Sequence, residues 1–167
     1  MARLGTAHDT TRAHPLDMVE RFVAGRSFPY ERAGEDEIVA SVDGRWCDFR
    51  LWFAWEPDLN ALLFSCVFDM KLPKPNRAPV HTLLALINER MWVGHFDFWG
   101  EEAAPTFRHG MLLSGGATLA VEQVEDLIDM AISECERFYP AFQYVIWGGR
   151  KPDEAMRMAI LDPQGEA

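Results

Sequence analysis

No stretch of this chain approaches the roughly 20 consecutive apolar residues that a helix needs to cross a bilayer, and transmembrane insertion is excluded on that ground. Clusters of Lys and Arg are also missing. The formal charge is -10, which repels phosphate backbones and anionic headgroups, so neither nucleic acid nor a membrane surface is expected as a partner. Cysteine is scarce: Cys47, Cys66 and Cys135 are odd in number, widely spaced and free of any CxxC, and read as reduced thiols in apolar surroundings. Residues 1–14 are polar, include Asp9 and lack the apolar core of a secretory signal; they are read as a flexible segment, with the cytoplasm as the expected compartment.

Signatures of chemistry are missing in the same way. Gly115-Gly116 and Gly148-Gly149 lie outside any GxGxxG or GxxxxGK[ST] context, so they read as turn and cap glycines and not as a phosphate cradle. There is no GxSxG, and no cysteine sits beside a histidine in the sequence, which leaves nucleophilic catalysis without support. His95 and Asp97 share a strand whose partner carries His109, but alternation sends Asp97 and His109 to opposite faces, and His81 near a helix start reads as an exposed or capping residue. No metal, no cofactor and no catalytic residue is expected.

What is present is a strong α+β pattern. With 167 residues, 49% of them apolar and six of them Trp, the chain can bury one substantial core. His14-Pro15 opens a helix whose Leu16, Val19, Phe22 and Val23 share a face, and Gly25 and Pro29 close it. Ile38, Ala40 and Val42 alternate up to Asp43-Gly44, the dipeptide favoured in a two-residue type I′ hairpin turn because both central residues need positive φ. That turn pairs Ile38 with Phe49, Ala40 with Cys47 and Glu37 with Arg50. It aligns Ile38 and Ala40 with the row Cys47, Phe49, Leu51, Phe53 and Trp55.

A third strand from Leu62 to Met70 follows a loop at Glu56 to Ala61, so that Phe53 opposes Phe64. Pro73, Pro75 and Pro79 punctuate its exit. Val80, Leu83, Leu84, Ile87 and Met91 then form a helical stripe that Gly94 stops. A second hairpin spans Phe96 to Leu113 around a loop at Glu101 to Pro105, with Asp97 opposing Arg108. Thr118 caps a long helix striped by Val121, Val124, Leu127, Ile128, Ala131, Cys135, Phe138 and Phe142, which Pro140 is expected to kink or divide. A last helix starts at Pro152 with Asp153 and Glu154 in its first turn. The expected fold is an antiparallel five-stranded sheet with helices in the order α-βββ-α-ββ-α-α, one domain over residues 15–161 and a tail over 162–167.

Two side-chain groups remain as candidates. The first is Glu37, Asp48, Arg50 and Asp69, gathered on the sheet face away from the aromatic row, with Asp48 opposite Asp69; it is read as an ion network, or alternatively as the site of a small-molecule-binding regulator or an unrecognised enzyme. The second is apolar surface. Trp46, Trp52, Leu63 and Val67 fall on that same reverse face and must be covered by a helix of the same chain, by a second subunit or by a partner protein. Trp92 and Trp99, near element ends, pose the same question.

The segments LDMVERFV, EIVASVDGRWCDFRLWFAW, APVHTLLALINERMWVGHFDFW and ECERFYPAFQYVIWGG, spread over Pro15 to Ile160, resemble the bacterial YbjN-domain family of sensory transduction regulators. The resemblance implies a fold similar to type III secretion chaperones: a twisted antiparallel sheet with helices, commonly dimeric, that binds proteins without enzymatic chemistry. The expected protein is then a homodimer and a chaperone-like regulator of an unidentified protein partner, with Trp52, Leu63, Val67 and Trp92 at its contact surface.

Overall fold

The computed structural model of the chain describes residues 13–72, 77–99 and 104–161, with Trp99 and Leu161 described by their backbone alone. Most of the 1–14 segment, the tail 162–167, Pro73, Pro75 and the start of the loop at Glu101 lie outside the described residues. Helix α1 (Pro15–Gly25) begins where the sequence expects it: the His14 side chain accepts a hydrogen bond from the Leu16 N–H at 3.3 Å, and Pro15 occupies a position whose missing donor costs nothing. Leu16, Val19, Phe22 and Val23 are all buried. Each such side chain stabilises the fold by about 1.5–3 kcal/mol relative to exposure.

The sheet has six strands and not five, in the order β1-β2-β3-β4-β6-β5 with every neighbour antiparallel. The added strand is β1 (Tyr30–Arg32), an edge of three residues paired to β2 (Glu37–Asp43). Its sequence has no alternation to announce it; Arg32 holds it, donating to Asp17 at 2.9 Å and Glu20 at 2.6 Å on α1.

The first hairpin departs from the expected register. Strand β3 (Asp48–Glu56) pairs with β2 so that Ile38 meets Phe53, Ala40 meets Leu51 and Asp43 meets Asp48. Gly44 N–H donates to the Cys47 carbonyl at 3.1 Å, which moves the tip from Asp43-Gly44 to Arg45-Trp46. Ile38 and Phe49 are therefore not cross-strand neighbours, and Gly44 has no positive φ. The cause is tertiary. Arg45 N–H donates to Glu136 Oε1 at 2.8 Å, and Trp46 stacks on Tyr139 with centroids 6.2 Å apart and planes at 7°, so the long helix captures the tip. A Cβ on Gly44 would lie 2.3 Å from the Phe49 ring, so close approach and not handedness requires glycine here. The slip is four residues, an even number, and the core face survives it: Ile38, Ala40, Phe49, Leu51 and Phe53 are buried.

Strand β4 (Ala61–Phe68) pairs with β3 as expected, Phe53 opposite Phe64, around a turn in which Asn60 takes φ 49°. Helix α2 (Arg77–Asn88) buries Val80, Leu83, Leu84 and Ile87 but ends before Met91, and Gly94 at φ 70° leads into β5 (His95–Trp99) instead of stopping the helix. Asn88 seals that end, donating to the Phe96 carbonyl at 3.0 Å and accepting from its N–H at 2.8 Å. Strand β6 (Ala104–Leu112) pairs with both β5 and β4. Here the register differs by two residues: Asp97 opposes Thr106, and Arg108 reaches it diagonally at 3.3 Å.

Helix α3 (Val121–Ile146) runs past Pro140 without a break. Its N-terminus is closed by Gln123, which accepts from the Ala120 N–H at 2.9 Å, and not by Thr118. Its stripe is buried except for Val121. Helix α4 (Pro152–Leu161) packs on α2 and α3. Among the described residues no helix is long and apolar enough to cross a membrane.

Candidate functional site

The helices choose one face of the sheet. Phe138 and Phe142 of α3 meet Phe96, Tyr139 and Phe142 meet Phe68, His81 of α2 meets Phe98, and α1 holds β1 through Arg32. These contacts all lie on the side of Phe64, so the described helices pack on that side of the sheet.

Pairing fixes that reverse side row by row. One row runs Val39, Trp52, Ser65, Arg108, His95; the next runs Ser41, Arg50, Val67, Thr106, Asp97; on the other flank Glu37, Ala54, Leu63 and Gly110 line up. Its centre is apolar or small. Val39, Trp52, Leu63 and Val67 are half-buried, Ala54 and Ala61 are buried, and Gly110 has no side chain. Ser65 and Thr106 are buried as well, the hydroxyl of Thr106 donating to the Ala104 carbonyl at 2.9 Å. Leu112, 72% exposed, extends the apolar strip to the sheet end.

Three of the four expected contact residues, Trp52, Leu63 and Val67, thus share this surface. Trp92 does not stand beside them: it lies four residues past the end of α2 in the turn into edge strand β5, which two strands, β4 and β6, separate from β3, and is fully exposed. Trp46 leaves the sheet face altogether for the α3 side, because the hairpin tip follows Tyr139. The side chain of Trp99 is outside the described residues.

The charged group also changes membership. The slip in the first hairpin takes Glu37 opposite Ala54, away from Arg50, and brings Asp43 opposite Asp48 in its place. Continuing the β3–β4 register by one step sets Asp69 across from Asp48. Asp43, Asp48, Arg50, Asp69 and Lys71 line a surface cleft of about 350 Å³ together with Ser41 and Val67. Arg50 is diagonal to both Asp43 and Asp69, at the range of roughly 7–8 Å where opposite charges on a sheet still attract. Among the described residues no group of three or more His, Cys, Asp or Glu is placed to hold a metal ion. His109 lies opposite Phe64 on the core side, and burial, with a smaller contribution from the His95 charge, pushes its pKa down.

One feature had no signal in the sequence. Cys66 of β4 and Cys135 of α3, both fully buried, bring their sulfurs to 3.6 Å. Burial, followed by the contact with Cys66, pushes the Cys135 thiol well up, and burial raises that of the half-buried Cys47.

A family model described as "Putative bacterial sensory transduction regulator", YbjN, matches residues 15–144. The chain belongs to the YbjN family. Among solved structures, the crystal structure of YbjN from E. coli is similar to it at 15% identity and a TM-score of 0.47, covering 72% of this chain and 90% of that one. No curated protein matches the chain. Regulation is the description of the YbjN family as a whole, and the chain shows an α+β architecture with an antiparallel sheet.

Proposed function

We propose that this YbjN domain is a non-enzymatic, cytoplasmic regulator that works by holding protein surface against the reverse face of its sheet, the first occupant being a second copy of the chain. One observation carries the reading: the described helices spend their apolar stripes on a single face, while the opposite face presents Val39, Leu63, Val67 and Leu112 in one strip. Small residues at Ala54, Ser65 and Gly110 let a second sheet approach to the roughly 10 Å of face-to-face stacking. A two-fold pair suits the charges too, since the end of the strip carries both signs, Arg50 and Lys71 beside Asp43, Asp48 and Asp69. Trp92 supplies a second contact for a partner that wraps the β5 edge, and aromatic anchors of that kind carry much of the energy of protein contacts. Similarity to type III secretion chaperones belongs to this same reading. Light scattering on the wild-type protein tests it: the reading requires twice the 19.0 kDa chain mass, and a monomer at all accessible concentrations refutes the self-association.

The cleft favours a second reading, in which a small cationic or mixed-charge ligand binds among Asp43, Asp48, Arg50 and Asp69. Asp48→Asn separates the two. It abolishes ligand binding under the second reading, and under the first it changes stability by about 1 kcal/mol or less with the dimer intact.

A further inference from the structure

Cys66 faces inward from the middle of β4, between the buried rings of Phe64 and Phe68, and Cys135 faces it from α3. Their sulfurs sit at 3.6 Å; a disulfide needs about 2.05 Å, so side-chain rotation and a shift of roughly 1.5 Å would close the bond. Nothing in the regulatory reading uses this pair. Its surroundings are equally particular, because the tip of the β2–β3 hairpin docks on the same stretch of α3: Arg45 N–H on Glu136, Trp46 on Tyr139, and the Cys47 thiol beside the Tyr139 hydroxyl. Buried thiols are ordinarily inert for want of access and of thiolate. Here, lifting one short tip from one helix turn would supply the access.

We propose that Cys66 and Cys135 are an oxidisable dithiol, gated by the Arg45-Trp46 hairpin tip, which hydrogen peroxide converts to a disulfide pinning α3 to β4. The step balances. One sulfur attacks peroxide, an S–O bond forms as the O–O bond breaks, and one water leaves; the second sulfur then attacks the sulfenic sulfur and expels the other water, the thiol protons departing with the two waters. The neighbouring thiol at van der Waals distance makes the disulfide the end point and spares either cysteine further oxidation. The consequence falls on the strand that carries Leu63 and Val67 on its other face, so the cross-link fixes the platform of the apolar strip.

Full-length Cys47→Ala protein, which retains this pair alone, is treated with hydrogen peroxide, and its intact mass and non-reduced peptides are followed. The expected product has lost the mass of two hydrogens, yields one peptide pair joined through Cys66 and Cys135, and is reversed by dithiothreitol. A gain of one or more oxygens at either residue, disulfide-linked dimers in place of the internal bridge, or thiols still free when glutathione added to the same solution has been oxidised would each overturn the proposal. The wild-type protein is mapped in parallel, and a bridge from Cys47 to either partner there also counts against it. Trp46→Ala, which loosens the tip, is expected to speed bridging several-fold; an unchanged rate removes the gate.

Discussion

Gly94 concentrates several demands in one residue. Its φ of 70° is left-handed, and a Cβ would lie 2.2 Å from the ring of Phe107, whose own side chain is fully buried. Gly94→Ala combines backbone strain with overpacking and is expected to cost about 2–3 kcal/mol, read as a lower denaturant midpoint with an unchanged slope. Titration acts at two other positions. The hydrogen bond from Arg32 holds the Asp17 carboxyl below its usual range, and burial holds His109 below 6.5. Both folded-state values are depressed, so their contributions are complete above the unfolded values and fade as pH falls through the folded ones. Stability is therefore expected to decline on acidification from about pH 6.5 downward, first through His109 and later through Asp17. His109→Gln should flatten the upper part of that slope in denaturant titrations. A slope unchanged by the substitution would remove His109 from the account. Asp17 is 43% exposed at its side chain, and solvent screening keeps its share small.

At the scale of elements, side-chain periodicity was legible and pairing was only partly so. The faces of β2, β3 and β4 follow from alternation, since Ile38, Leu51, Phe53 and Phe64 point inward in any register shifted by an even number. The register of the first hairpin was not legible, because Glu136 and Tyr139, some ninety residues away in the chain, decide where its tip sits. Local turn preference at Asp43-Gly44 yields to that docking. Strand β1 carries no sequence signal because three residues cannot show a period, and Glu37 is parted from the charged group for the same reason that the tip moves. Pro140 makes a separate point: α3 continues through it, although the ring removes the donor that the Glu136 carbonyl would otherwise meet. Pro140→Ala is expected to raise stability by about 1–2 kcal/mol in thermal or denaturant unfolding. A loss of stability would show instead that the helix's packing on Phe68 and Phe96 depends on the proline.

For the whole molecule, the decisive asymmetry is between two faces of one sheet. The inner face is saturated by α1, α2 and α3. The outer face keeps an apolar strip on a molecule whose formal charge of -10 would otherwise hold copies apart. Sequence periodicity located Trp52, Leu63 and Val67 on that face, but it could not say which layer covered them, because whether a helix returns over a sheet depends on connections and not on alternation. The full exposure of Trp92 follows from α2 stopping early at Asn88. Sedimentation velocity on Val67→Asp beside the wild type tests the central claim most directly. The account requires a wild-type dimer that Val67→Asp converts to a folded monomer with a near-native unfolding transition. A variant that sediments as the wild type does would contradict it.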